Sequence, residues 1–510
     1  MRVLAPVQAH ELDQISIIDL EISGEVLMEN AGLCIAEKAI KMVEGLDDPS
    51  ILIISGKGNN GGDGLVAAKK LADLKYKTSI IITSKMVEYK DSSLMYYLRC
   101  KESKIPITFT LSLSDHCTPD LIIDGILGTG FEGALRGELI SIINWINQSN
   151  SMVLSIDIPS GLNGRSGKAD PIAVKADSTV TFGSYKLGMI FHNGREYSGN
   201  VEVPDIGFPE LAKVDLSGLH WDMYTNKDAN KILNKPNVSS NKHSAGKVLV
   251  IAGSRGMTGA AILATYGALR SGAGSTITTA PSSLNEIYER SILEGMTLPL
   301  IDKNSGILEL EHFELIMEKV DWADSVVIGP GMGRDNNTQK LIKKLVQTIK
   351  KPLVLDADGL FPFNGEFERL NERRSPLIIT PHFGELSRLI GKNKKLIIDK
   401  FPDIMKDFME RYNHNALVKQ IPSCSFYKNN VLINSSGNPG LATAGTGDIL
   451  SGMVASFNSQ GLDLNAAAPL ASFIHGRASD NLVQEKGYRG QVASDLLGKI
   501  PEVISNYEIS

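Results

Sequence analysis

Cysteine is scarce in this chain: 510 residues hold four, Cys34, Cys100, Cys117 and Cys424, and no two form a C-x-x-C pair. So few in so long a chain make no disulfide framework, and a reducing compartment, the cytoplasm, is the expectation. No apolar run reaches the ~18 residues that a membrane span needs. Met1–His10 lacks the apolar core of a signal peptide. An excess of positive charge is missing as well, with 52 Lys and Arg against 58 Asp and Glu and a net charge of −6. That excludes the electrostatic footprint of a non-specific nucleic-acid or membrane binder, so neither is expected as a partner. No G-x-x-x-x-G-K-[ST] occurs, which excludes a P-loop NTPase. There is no short-period repeat and no low-complexity tail.

What is present reads as a soluble enzyme-sized chain. Hydrophobic residues make up 42% and charged residues 22%, ordinary for a globular protein. The 48 glycines gather at strand-to-helix turns. Aliphatic runs at Ile51–Ser55, Leu121–Asp124, Met152–Ile156, Lys247–Ala252, Ser325–Ile328, Pro352–Leu355 and Leu377–Thr380 predict buried strands. Between several of them, apolar residues recur at helical spacing, as in Gly64–Leu74 and Ala260–Arg270. Such alternation predicts α/β architecture, a mostly parallel sheet with helices on both faces. A polar, irregular stretch between about Phe208 and Gly246 separates two α/β domains, taken as 1–212 and 222–510.

In the first domain, the strand at Ile51 runs into Gly56-Lys57-Gly58-Asn59-Asn60-Gly61-Gly62-Asp63-Gly64 and then a helix. This is a G-x-G-x-x-G in the strand–turn–helix setting that suits a pyrophosphate. The acidic residue expected about 20 positions later is absent, which disfavours an ordinary hydride-transferring dehydrogenase. Two further strands end in Asp124 (before Gly128-Thr129-Gly130) and Asp157 (before Ile158-Pro159-Ser160-Gly161). An Asp at a strand end also serves as a helix cap. Three such turns on successive strands point instead to a shared pocket at the carboxyl ends of the sheet.

In the second domain, Gly253-Ser254-Arg255-Gly256 opens a helix in the same manner. The strongest signal is Asn438-Pro439-Gly440-Leu441-Ala442-Thr443-Ala444-Gly445-Thr446-Gly447-Asp448. The helix after it carries Ile449, Leu450, Met453, Val454 and Phe457 on one face. A Gly-Thr-Gly turn at a helix start offers backbone N–H groups to an anion. Asp448 then stands where a carboxylate takes a proton from a hydroxyl beside a bound phosphoryl group.

These motifs carry a family resemblance. Met28-Glu29-Asn30-Ala31-Gly32, Asn59–Gly64, Asp124 with Gly128–Gly130, Asp157–Gly161, Thr181-Phe182-Gly183 and Lys186 resemble an NAD(P)H-hydrate epimerase domain, Rossmann-like with three α/β/α layers. The Gly-x-Gly-Asp end of the second domain resembles the ribokinase-like superfamily. Gly329-Pro330-Gly331-Met332-Gly333, Asp356-Ala357-Asp358-Gly359-Leu360, Thr380-Pro381-His382-Phe383-Gly384-Glu385 and His475-Gly476 narrow that to the NAD(P)H-hydrate dehydratases.

The resemblance implies a repair activity. Epimerisation interconverts the R and S hydrates of NADH and NADPH, and nucleotide-dependent dehydration of the S hydrate restores the cofactor. In the epimerase domain, Asn59, Asn60, Gly61, Gly62 and Asp63 would line the substrate, continued by Gly128, Thr129, Gly130, Phe131, Glu132, Gly133 and Ala134. Asp157 would contact it as acid/base, and Asn60, Asp124 and Ser160 would hold a potassium ion. In the dehydratase domain, Ala260, Gly331, His382 and Asp448 would contact the hydrate. Lys419, Gln420, Ile421, Pro422, Ser423 and Gly447 would hold the nucleotide, ADP or ATP with magnesium, ADP being favoured. This segment departs from the usual Lys-Gly and Thr: here Gln420 follows the lysine, and Ser423 stands where Thr is usual. Glutamine does not reach positive φ as cheaply as glycine, so this departure bears on nucleotide affinity and preference, in a direction that the sequence leaves open. Asp356 and Asp358 are candidates for organising magnesium-bound water or for structural hydrogen bonds. The resemblance also implies a homo-oligomer. Two other readings compete: a ribokinase-like kinase of a vitamin precursor or sugar, and a non-catalytic scaffold built on the first domain.

Overall fold

Strands covered by helices on both faces must be aliphatic on both, and the continuous apolar runs of this chain become such strands. The computed structural model describes residues 1–83, 89–110, 113, 118–131, 133–233, 235–239, 241, 242 and 244–508. Cys117 and the expected site residue Glu132 lie outside the described residues. The chain forms two units, Arg2–His220 and Trp221–Ser510.

The first unit is built on β1 (Ser50–Ser55), β2 (Lys77–Ile82), β3 (Ile107–Phe109), β4 (Leu121–Gly125), β5 (Met152–Ile156), β6 (Ser178–Val180) and β7 (Asn200–Glu202). They pair in the order β3-β2-β1-β4-β5-β6-β7, all parallel. The helices are α1 (Pro6–Gln14), α2 (Gly24–Met42), α3 (Asn59–Asp73), α4 (Asp91–Glu102) and α5 (Glu138–Gln148). Because successive strand residues point to opposite faces, Ile51, Ile53, Leu121 and Ile123 pack with Ile35 of α2 and Leu65 of α3. Leu52, Ile54, Ile122 and Val153 pack with Ile142, Ile143 and Ile146 of α5. Three α/β/α layers result, as the sequence led one to expect. Strand order reverses between β1 and β4, the kind of switch point where open sheets bind ligands. The short strands Arg2–Leu4 and Tyr185–Lys186 pair in parallel. They bring α1 to the loop after β6, where Leu12 approaches to 2.8 Å from the position of a Cβ at Gly183. One expectation is corrected: α3 begins at Asn59, so Asn59–Gly64 is helix rather than the turn before one.

The second unit contains β8 (Lys247–Ile251), β9 (Ser275–Pro281), β10 (Met296–Leu300), β11 (Ser325–Ile328), β12 (Leu353–Leu355), β13 (Leu377–Ile379), β14 (Asn415–Val418), β15 (Cys424–Tyr427) and β16 (Asn430–Asn434). They run β10-β9-β8-β11-β12-β13-β14-β15-β16. Pairs up to β13–β14 are parallel, and the last two are antiparallel. The helices that matter for the site are α6 (Thr258–Arg270), α7 (Phe383–Ile390), α8 (Thr446–Ser459) and α9 (Leu464–Lys486). Val248, Val250, Val327, Val354 and Ile378 of the sheet form one core with Ala261 and Ala264 of α6, Ile449 and Met453 of α8 and Leu470 of α9. Again the order switches, between β8 and β11, and the loops with conspicuous motifs all leave carboxyl ends of strands.

Candidate active sites

In the first unit, Asn60 on the opening turn of α3 donates through Nδ2 to the Ile156 carbonyl at 2.8 Å and the Leu127 carbonyl at 3.3 Å. This ties the loops after β1, β4 and β5 together. Gly128 is required here by close approach, since a Cβ would stand 2.6 Å from Asn60 Oδ1. Asp124 is fully buried. Its Oδ1 accepts from Ser160 Oγ at 2.5 Å and its Oδ2 from Ser155 Oγ and Ser160 N, each at 2.9 Å. Burial pushes its carboxyl above the usual range despite these bonds. Among the described residues no cation faces it. The three residues expected to hold potassium are therefore together. They present a carboxylate, a hydroxyl and a carboxamide oxygen around an uncompensated buried charge. This donor set fits a hard cation of low charge. No group of three or more His, Cys, Asp or Glu placed to hold a metal ion occurs among the described residues.

Asp157 adopts φ 61° and is 7% exposed. Its Oδ1 accepts from Lys186 Nζ at 2.6 Å, Thr181 Oγ1 at 3.0 Å and Phe182 N at 3.4 Å, leaving Oδ2 open. A non-glycine residue held in left-handed backbone at a ligand crevice fits a functional constraint. Lys186 is 2% exposed and also donates to Thr181 Oγ1, the Phe182 carbonyl and the Ser184 carbonyl. Two more carboxyls share this corner. Asp63 is buried, and burial, then the charges of Asp157 and Asp13, push its pKa well up. Asp13 of α1 is raised to about 6 by burial and then by Asp157. Sequence reasoning missed Asp13, because nothing in Pro6–Gln14 marks it apart from an ordinary surface carboxylate.

The second unit assembles its site from the carboxyl ends of several strands. Asp356, at the end of β12, is fully buried. It accepts from Lys419 Nζ at 2.6 Å through Oδ1 and from Ser451 Oγ of α8 at 2.6 Å through Oδ2. Both carboxylate oxygens of Asp356 thus carry a hydrogen bond within the fold. Asp358 accepts from Gly333 N at 3.0 Å. Lys419, just beyond β14, donates its N–H to the Pro381 carbonyl at 2.9 Å and bridges to His382. Burial lowers the Lys419 pKa, but Asp356 and then Glu385 outweigh it and hold the ammonium above its ordinary value. Its Nζ lies 3.1 Å from where a Cβ at Gly447 would stand. Gly445, at φ 92°, caps α8 and turns Thr446 and Gly447 into its first turn. Asp448 follows, half-buried, without a hydrogen bond among the described residues. Burial first, then Asp356, raises its pKa to about 7, against the opposing pull of Lys419.

The remaining expected residues lie around these groups. Ala260 and Gly331 adjoin: Ala260 Cβ is 2.9 Å from where a Cβ at Gly331 would stand. His382 is exposed and caps α7, its Nδ1 accepting from Gly384 N at 2.9 Å and Glu385 N at 3.2 Å. Its other ring nitrogen, Nε2, lies 3.4 Å from Glu385 Oε1. Gln420 is not among the residues with positive φ, so the expected backbone strain is not there. Instead its Nε2 donates to Cys424 Sγ at 3.7 Å. The Ser423 hydroxyl sits 2.5 Å from Ser472 Oγ and accepts from Asn434 Nδ2 at 3.3 Å, which occupies it within the fold. Ile421 is exposed and Pro422 buried. No helix among the described residues is long and apolar enough to cross a membrane.

Two family models match the chain: YjeF-related protein N-terminus over residues 24–188 and NAD(P)H-hydrate dehydratase over residues 248–502. The bifunctional NAD(P)H-hydrate repair enzyme Nnr of Moorella thermoacetica is 33% identical, over 100% of this chain and 97% of its own length. That of Thermofilum pendens is 31% identical, over 97% and 95%. Among solved structures, an ADP/ATP-dependent NAD(P)H-hydrate dehydratase from Bacillus subtilis, co-crystallised with ATP and Mg2+, aligns with 56% of this chain and 98% of its own. Its identity is 24% and its TM-score 0.48.

Proposed function

The chain belongs to the family of bifunctional NAD(P)H-hydrate repair enzymes, and from that premise we propose how its residues divide the work. The first unit is the epimerase of the R and S hydrates, and the second is the ADP/ATP-dependent dehydratase that returns NADH or NADPH. The kinase and scaffold readings leave one half of a full-length match unexplained.

The observation that carries the reading is Asp448 at the first turn of α8, beside the Lys419–Asp356 pair. Its environment lifts the pKa to about 7, where a general base works best at neutral pH. Asp448 takes the proton of the ring hydroxyl as the oxygen attacks the terminal phosphorus of the nucleotide. The O–P bond to the hydrate forms and the bond to the nucleotide breaks, leaving AMP from ADP or ADP from ATP. Lys419 and the N–H groups of Thr446 and Gly447 take up charge on the phosphoryl oxygens. Magnesium bound with the nucleotide neutralises part of its phosphate charge. Phosphate then departs with the C–O bond pair, driven by the ring nitrogen, and loss of the neighbouring C–H proton closes the double bond. Ala260, Gly331 and His382 hold the ring, with Gln420–Ser423 along the nucleotide. ADP is the preferred donor.

In the first unit, Asn59–Asp63 and the described part of Gly128–Ala134 line the dinucleotide, and Asp157 works as acid/base on the hydrated carbon. Asn60, Asp124 and Ser160 hold potassium, whose charge balances Asp124. The protein is cytoplasmic and self-associates.

The test is recovery of NADH absorbance from a mixture of both hydrates with magnesium, potassium and ADP, and with ATP in parallel. Complete recovery, faster with ADP, is the expected result. Recovery halting at the S fraction removes the epimerase role, and no recovery with either nucleotide removes the dehydratase role.

A further inference from the structure

Epimerisation of a hydrated carbon needs a proton on the departing hydroxyl as much as a base for the returning water. Three carboxyls from three elements, Asp13 on α1, Asp63 on α3 and Asp157 after β5, gather here, and Lys186 faces Asp157 and Asp13. It is spoken for: Asp157 holds it at 2.6 Å. Asp63 is 7% exposed and has no hydrogen-bond partner among the described residues. It follows Asn60 by three positions on α3, which puts the two side chains on one helix face. Asn60 already touches the end of β5, one residue before Asp157. A nearly buried carboxyl with no ion-pair partner, beside a like charge, holds its proton more tightly than a free one.

We propose that Asp63 is the acid of the epimerisation, paired across the substrate with Asp157 as the base. This rests on the first unit's being the epimerase and adds a residue role to that reading. The ring nitrogen's lone pair expels the hydroxyl, Asp63 delivers its proton, and the C–O bond breaks to release water. The carbon is now planar. Water adds to its opposite face, the new C–O bond forms, and Asp157 accepts the proton. Solvent returns one proton to Asp63 and removes one from Asp157, so nothing is consumed. The environment supports this division. Around the α3 turn, α2 and α4 contribute Met28 and Ser93, and the sheet contributes Ile53 and Ile156. The charges acting on Asp63 are those of Asp157 and Asp13. Burial and both of these charges push its pKa in one direction, upward.

The experiment follows conversion of the R hydrate to the S hydrate in the full chain over a pH series, for wild type, Asp63→Asn and Asp13→Asn. S-hydrate dehydration by the same preparations reports an intact second unit, and thermal unfolding of each variant reports an intact first one. Asp63→Asn keeps the size and polarity of the side chain but not its proton, and kcat for epimerisation is expected to fall about 100-fold or more with KM nearly unchanged. Asp13→Asn removes a like charge, so the alkaline limb of the epimerase profile moves to lower pH. Near-wild-type kcat in Asp63→Asn, or an alkaline limb that ignores Asp13→Asn, overturns the proposal. If Asp63→Asn fails to fold, the Asp13→Asn profile decides alone. A wild type that never converts the R hydrate defeats the underlying reading instead.

Discussion

At the scale of single residues, the second unit's chemistry turns on how Asp356 divides its two oxygens. One holds the Lys419 ammonium and the other the Ser451 hydroxyl of α8, while its charge raises Asp448. Because the ionised form of Asp448 is the working one, dehydration by the wild type rises as pH passes through about 7. Asp356→Asn removes a negative neighbour, so Asp448 ionises earlier and the limb moves to lower pH. The same change loosens Lys419, and the KM for nucleotide rises. A pH series of S-hydrate dehydration with wild type and Asp356→Asn measures both effects. Asp448→Asn is expected to lose about 10²- to 10⁴-fold in kcat with nucleotide binding retained, checked by calorimetric titration with magnesium and ADP. Asp448 was legible in the sequence because glycine crowds the turn before it. The Asp356–Lys419 pair was not, since 63 positions separate its partners and no local pattern joins them.

Among elements, the buried parallel strands were the readable part. β5 and β11 match the expected spans, and β1, β4, β8, β12 and β13 differ by a residue at one end. Helices on both faces leave no polar alternation to confuse the pattern. The start of α3 was misread because Asn-Asn-Gly-Gly has the composition of a turn. Its glycines serve packing instead: a Cβ at Gly61 would lie 2.0 Å from the Gly56 carbonyl oxygen. The antiparallel pair β15–β16 went unforeseen, its run Cys424-Ser425-Phe426-Tyr427 being too short and mixed to stand out. Loop approach also governs the cation site. In Gly128→Ala the new methyl meets the Asn60 carboxamide, 2.6 Å from Oδ1. The potassium concentration for half-maximal epimerisation is expected to rise about tenfold or more, while S-hydrate dehydration is spared; a potassium titration of both activities checks this.

At the scale of the whole molecule, each unit carries its own core. Heating is expected to give two unfolding transitions. Ligands that bind only the folded form stabilise it by about 2.7 kcal/mol at 100 times Kd. Magnesium with ADP should therefore raise one transition and potassium the other, and scanning calorimetry with each ligand alone tests the assignment. A single transition shifted by both ligands would contradict it. Both units also share one layout, with every ligand loop leaving the carboxyl end of a strand. Folding information sits inside the strands, and chemical information gathers at their carboxyl ends and in the loops and helix starts beyond them. Tolerance to mutation should thus change abruptly along the chain. Ile53→Val, deep in β1, costs about 1 kcal/mol and leaves both reactions running. Asp124, Asp157, Asp356 and Lys419, at or just beyond strand ends, admit almost no replacement. Such a chain can drift widely in sequence while its chemistry stays pinned at a few positions gathered beyond the carboxyl ends of its strands.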